Sequence, residues 1–180
     1  MSRIPYPTED QLSPAKIARK HDKSRRLLNV SHMAMHSTEG MWQAFVDIGL
    51  ASIHRTELDP ALREMVICRQ AYHDKADYEL FHHLSIARSA GVSEEKLEAL
   101  RTGDYSGLPP NERALLRFTD EVVKNAPSDE AVADMIAHFS VPLMFETTLL
   151  IGHYMMTARV AAVGGIENDE IPVTAWWKRK

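Results

Sequence analysis

LREMVICRQAYHDKADYELFHHLSIARSAG, residues 62–91, decides how the rest of the chain is read. Asp59-Pro60 stands just before it, an N-cap residue followed by the one helical position where proline is favoured. Leu62, Met65, Val66 and Cys68 then recur at helical spacing, so a helix is predicted up to the break at 74–77. A second helix follows to about Ala90, and Gly91 sits where a left-handed residue ends it. On that second helix Glu79 and His83 are four residues apart and share a face, with His82 beside them. An unperturbed imidazole titrates near ~6.5, so a carboxylate and two imidazoles together can exchange protons near neutral pH. The same groups can also bind a metal, and Glu79-x-x-His82 has the spacing that carboxylate di-iron bundles use twice. No second copy occurs; Asp134 and His138 come nearest.

Working outward, residues 1–12 read as an extended arm broken by Pro5 and Pro7. Ser13-Pro14 opens a weak helix, and Ser37 opens a better one through Met41, Phe45 and Ile48. Ser93 opens a short helix with a capping box and two acids in its first turn. Thr102 to Pro110 is a loop. An amphipathic helix from Pro110 closes at Asn125-Ala126-Pro127. Ser128 caps the next helix to about Phe139, and Val141-Pro142 begins a long last helix ending at Val163-Gly164-Gly165. No segment alternates with period two, so the predicted fold class is all-α, a bundle of antiparallel helices joined by short turns.

The chain has 180 residues and a net charge of −4, with no run of Lys or Arg beyond Lys178-Arg179-Lys180, so nucleic acid is not an expected partner. No apolar run approaches the roughly 18–20 residues that span a bilayer, and no membrane association is expected. The polar, proline-broken start lacks a secretory signal's apolar segment, which makes a cytoplasmic location the expectation. Cys68 is the only cysteine, which excludes a disulfide within the chain, a CxxC redox pair and a multi-cysteine zinc site.

Leu62-Arg63-Glu64, Tyr78-Glu79, His82-His83 and Ala90-Gly91-Val92-Ser93 together resemble the carboxymuconolactone decarboxylase family, which includes the AhpD-type alkylhydroperoxidases. The resemblance implies an AhpD-like helical domain over 31–165, with 1–30 as an arm and weak helix and 166–180 as a tail. It further implies a homo-oligomer (dimer, trimer or hexamer) and a small-molecule substrate. In the peroxidase branch two redox cysteines lie on the helix of the active-site His, at places that fall here on Ala76 and Glu79. Thiol peroxidase chemistry, which needs an attacking and a resolving thiol, is therefore not expected.

What the resemblance carries over is a proton relay on Glu64 and His83, with Glu79 as a third catalytic candidate. Glu64 has a second reading as a first-turn acid favoured by the helix dipole. If Glu79 and Glu64 face one pocket, their repulsion is expected to raise one pKa. Tyr78, His82, His36 and His153 are candidates for substrate binding, and Tyr78 or His36 for donating to a developing oxyanion; Arg63, Arg69 or Arg88 would neutralise an anionic substrate. His153 stands two turns after Glu146. Trp176-Trp177 is expected to dock the tail on a neighbouring subunit. The leading expectation is a cofactor-free lyase acting on a small lactone or carboxylic acid from aromatic catabolism. A related hydrolase or isomerase, a metal-binding helical protein and a non-catalytic oligomer stand beside it.

Overall fold

In the computed structural model, which describes residues 2–177, every regular element among those residues is helical. The helices are α1 (Pro14–His21), α2 (Asn29–Ala34), α3 (Glu39–His54), α4 (Pro60–Asp74), α5 (Asp77–Ser89), α6 (Glu94–Thr102), α7 (Pro110–Val123), α8 (Asp129–His138), α9 (Val141–Gly164) and α10 (Val173–Trp177). The all-α reading holds. The side chains of Trp176 and Trp177 lie outside the described residues, and so does the expectation placed on them.

The helix starts are set by local chemistry. Asp59 Oδ1 accepts from the N–H groups of Ala61 and Leu62, and Ser13, Ser93, Ser128 and Ser140 cap α1, α6, α8 and α9 in the same manner. Gly91, at φ 92°, ends α5 in a conformation that costs other residues strain, and Val92 N–H closes the turn onto Ala87 O. At Ser93 only the cap half of the expected box forms, because the residue at the reciprocal position, Lys96, has no acceptor to offer the Ser93 N–H and donates to Glu112. Ser37 does not open α3. Its hydroxyl donates to Ala34 O and closes the preceding turn, which leaves Thr38 as the N-cap.

Three short elements escaped the sequence reading: α2, α10 in the segment expected to be a tail, and a single 3-10 turn, Glu9–Gln11, inside the arm expected to be extended. None is long enough to show a period. Thr8 N–H donating to Gln11 Oε1 holds the turn, and Asp169, 140 residues away, accepts from the first N–H of α2.

α4 is the axis of the molecule, packed against α5, α6, α7 and α9. One core joins Val66 and Ile67 to Leu115, Phe118, Met135 and Ile151. Another joins Met65 and Cys68 to Leu97, Leu100, Leu108 and Leu116. Each such fully buried side chain contributes roughly 1.5–3 kcal/mol, so the second turn of α4 is held rigidly from both sides. Glu64 lies in that turn.

Candidate active site

Glu64 is 1% exposed, between the two cores. Its Oε2 accepts from His83 Nδ1–H at 2.7 Å and its Oε1 from Arg63 Nε–H at 3.0 Å. Burial alone would raise its pKa, but His83 and Arg63 outweigh it and hold the carboxyl below its ordinary value. Arg63 Nη1 also donates to Ile53 O, which fixes the guanidinium. The expected pairing of Glu64 with His83 is therefore formed. With Nδ1 occupied, His83 Nε2 has no partner among the described residues.

The pair lines a cavity of about 240 Å³ whose wall is otherwise mostly apolar, with Val30, Phe45, Leu50 and Ile53 among its residues. His153 is there, as expected, its ring 5.4 Å from Phe45 and 5.2 Å from Tyr154. Burial, and then His83, push its pKa down to about 4, so it is neutral at pH 7. A Cβ on Gly49 would lie 3.0 Å from His153 Nε2, which is why α3 can approach the imidazole so closely only at a glycine. Glu146 plays no part here: it accepts from the Thr56 hydroxyl and Glu57 N–H near the start of α9.

Glu79 also lines the cavity, 2% exposed, and neither carboxyl oxygen has a hydrogen-bond partner among the described residues. Its pKa is pushed up to about 9, by burial first and Asp74 second. The sequence reading expected one glutamate to be raised by the other. The rise occurs, but desolvation drives it, because Arg63 and His83 already balance the Glu64 charge.

Three expectations are corrected. The Tyr78 hydroxyl donates to Asp169 Oδ2 at 2.6 Å and accepts from Val30 N–H, so it is not an open oxyanion donor. His82 lies in the cavity wall, but its Nε2–H donates to the same Asp169 oxygen and its Nδ1 accepts from Val173 N–H, so neither nitrogen is free. His36 is elsewhere: Pro5 O accepts from its Nε2, and it borders a separate apolar groove beside Val163. The reason is that α2 ends at Ala34 and the following turn is tied to the N-terminal arm.

Both nitrogens of His82 are taken by Asp169 and Val173, so the Glu-x-x-His spacing does not become a ligand pair. Among the described residues no three His, Cys, Asp or Glu side chains converge as a metal site would need. Of the three arginines considered, Arg63 faces inward; Arg69 is held by Asp120 and Leu100 O, and Arg88 by Glu94. Cys68 is fully buried, and burial followed by Glu64 pushes its thiol well up.

Tyr154, Arg26 and Asp169 belong to the site and were not singled out from sequence. Tyr154 meets the His83 ring edge-on at 4.8 Å, and its hydroxyl hydrogen-bonds to no described residue. Its signal was its place beside His153. For Arg26 and Asp169 there was none.

Residues 40–121 match the model of the carboxymuconolactone decarboxylase family, and Glu64, Glu79 and His83 lie within the matched segment, in line with the resemblance. No curated protein matches the chain. Similar solved structures share the AhpD-like fold. An uncharacterized peroxidase-related protein from Ralstonia eutropha, described as an alkylhydroperoxidase AhpD core, has 20% identity and TM-score 0.76 over 94% of this chain and 93% of its own. A peroxidase-related protein from a Silicibacter species has 18% identity and TM-score 0.77 over 94% and 92%. A debrominase solved with 2,3,4-tribromopyrrole has 16% identity and TM-score 0.73 over 100% and 98%. The family match supports an enzyme-like function at the family level, and the neighbours support the fold. No single helix among the described residues is long and apolar enough to cross a membrane.

Proposed function

We propose that the protein is a cofactor-free, decarboxylase-like lyase acting by general acid–base chemistry on a small lactone or carboxylic acid of the kind met in aromatic catabolism. One observation carries the reading: His83 is tied through Nδ1 to buried Glu64 while Nε2 remains unpaired in an apolar cavity of small-molecule size. In decarboxylation the bond to the leaving carboxylate breaks, and its electron pair passes onto a neighbouring carbonyl as an enolate. Protonated His83 Nε2 then returns a proton to carbon, and Glu64 balances the ring's charge before that transfer. The Tyr154 hydroxyl and the neutral Glu79 carboxyl are the groups suited to donate toward the enolate oxygen.

Isomerisation of an enol is the second reading, since the same Nε2 can remove a proton and return it elsewhere. Phe145, Leu149 and Val163, exposed along α9, support the proposal that copies of the chain assemble. The test is an ultraviolet assay with carboxymuconolactone, with chelator present, beside His83→Gln. Turnover that survives chelator and falls by about a hundredfold or more in the variant is expected. An inactive wild-type protein rejects the lyase reading and turns the assay to enol substrates.

A further inference from the structure

Arg26 lies in the connection between α1 and α2, outside the segment matched to the family, and it lines the cavity. Its side chain is 15% exposed. A guanidinium carries five N–H donors, yet this one makes no hydrogen bond to any described residue. Its Nη1 is buried without a partner, and its Nη2 stands 3.6 Å from Asp169 Oδ1. Asp169 is committed elsewhere, to the Tyr78 hydroxyl, His82 Nε2–H and Asn29 N–H. A buried donor left unmade carries an unrecovered desolvation cost. An acceptor brought in by a ligand would recover that cost.

The other arginines of the cavity are occupied. Arg63 holds Glu64 and Ile53 O, and Arg19 donates to the carbonyls of Arg25 and Arg26, which fixes the loop that presents Arg26. The charge around the cavity follows. Arg19, Arg26 and Arg63 are cationic, Glu64 is anionic, and Glu79, kept protonated by burial, adds nothing at neutral pH. Three guanidiniums thus line the cavity beside one charged lining carboxylate, Glu64, with Asp169 a second anion 3.6 Å from Arg26.

We infer that the cavity takes a small organic anion whose carboxylate pairs with Arg26 while its apolar body lies against Val30 and Phe45. The inference rests on the cavity being the reaction site proposed above, and adds the charge of the substrate and the residue that selects it. Arg26 and His83 then hold the two ends of the ligand, one the charge and the other the reacting carbon.

The test is calorimetric titration with benzoate and with benzamide, which share a shape and differ in charge. Wild-type protein is expected to bind benzoate about tenfold or more tightly than benzamide, as one charge-assisted contact implies. Arg26→Gln should bring benzoate down to the benzamide level and leave benzamide within about twofold. Arg26→Lys, which keeps the charge and loses the fork, should keep part of the preference, and it decides the matter if Arg26→Gln does not fold. Equal binding of the two compounds by wild-type protein, no binding of benzoate, or an unchanged preference in Arg26→Gln or Arg26→Lys would overturn the assignment. His83→Gln separates this from the lyase reading: it should lose turnover and keep the benzoate preference. An inactive wild-type protein that still prefers benzoate sinks the chemistry alone.

Discussion

His83 Nδ1–H donates to Glu64 Oε2 across 2.7 Å, while the other oxygen of that carboxylate accepts from Arg63 Nε–H. One carboxylate thus sets the tautomer of the imidazole and anchors a guanidinium of the cavity wall. Residues from two helices, 19 positions apart in the chain, become one unit whose reactive atom is His83 Nε2.

Glu64→Gln keeps the shape of this unit and removes its charge. We expect turnover to fall about 10- to 100-fold, less than the loss in His83→Gln, because orientation is partly kept. Stability should fall by about 3 kcal/mol, since Arg63 is left without its anion. Steady-state kinetics and urea unfolding read the two effects separately. A variant as active as wild type would remove Glu64 from the relay.

Glu79 predicts an alkaline loss of stability. Its folded pKa of about 9 lies above the ordinary value of 4.5, so between those limits the folded state holds a proton that the unfolded state has released. Stability contributed by this group therefore falls as pH rises, by up to about 1.4 kcal/mol per pH unit. Glu79→Gln, isosteric with the neutral acid, should flatten that slope between about pH 6 and pH 8. Urea unfolding across that range is the measurement; equal slopes in the two proteins would mean that Glu79 is ionised in the folded state.

Asp169 ties the strap between α9 and α10 to Tyr78 and His82 of α5. Burial raises its carboxyl, but hydrogen bonds from His82 and Tyr78 outweigh that and keep it below the ordinary range. Its contribution is present above the unfolded value, ~3.9, and is lost as pH falls through the lowered folded one. Asp169→Asn should cost about 1–3 kcal/mol at neutral pH and expose the strap to proteolysis first. Unfolding and digestion rates no different from wild type would contradict this.

Cys68 should be silent. Reagents attack the thiolate, and this thiol is fully buried with its pKa pushed up. A thiol-specific reagent should modify it only on unfolding, and Cys68→Ala should keep full turnover while losing about 1–2 kcal/mol of stability. Rapid labelling of the folded protein would reopen the thiol chemistry that Ala76 and Glu79 argue against.

The chain by itself determined the helices, because caps, prolines and apolar spacing act within a few residues. Asp59-Pro60, Gly91, Ser128 and Val141-Pro142 each mark a boundary that the structure keeps. It also determined that Glu79 and His83 share a face, and that two thiols are not available. What only the tertiary structure decided is which groups are free to react. Tyr78 and His82, good candidates by type and place, are consumed by Asp169, 91 and 87 residues away. Asp169 and Arg26 lie in stretches with no helical period, and a loop side chain acquires its partners only when the chain closes over it. Burial, a property of the packed whole, then assigned opposite charge states to Glu64 and Glu79. Arg63 and His83 keep one ionised, and the lack of any such partner keeps the other neutral.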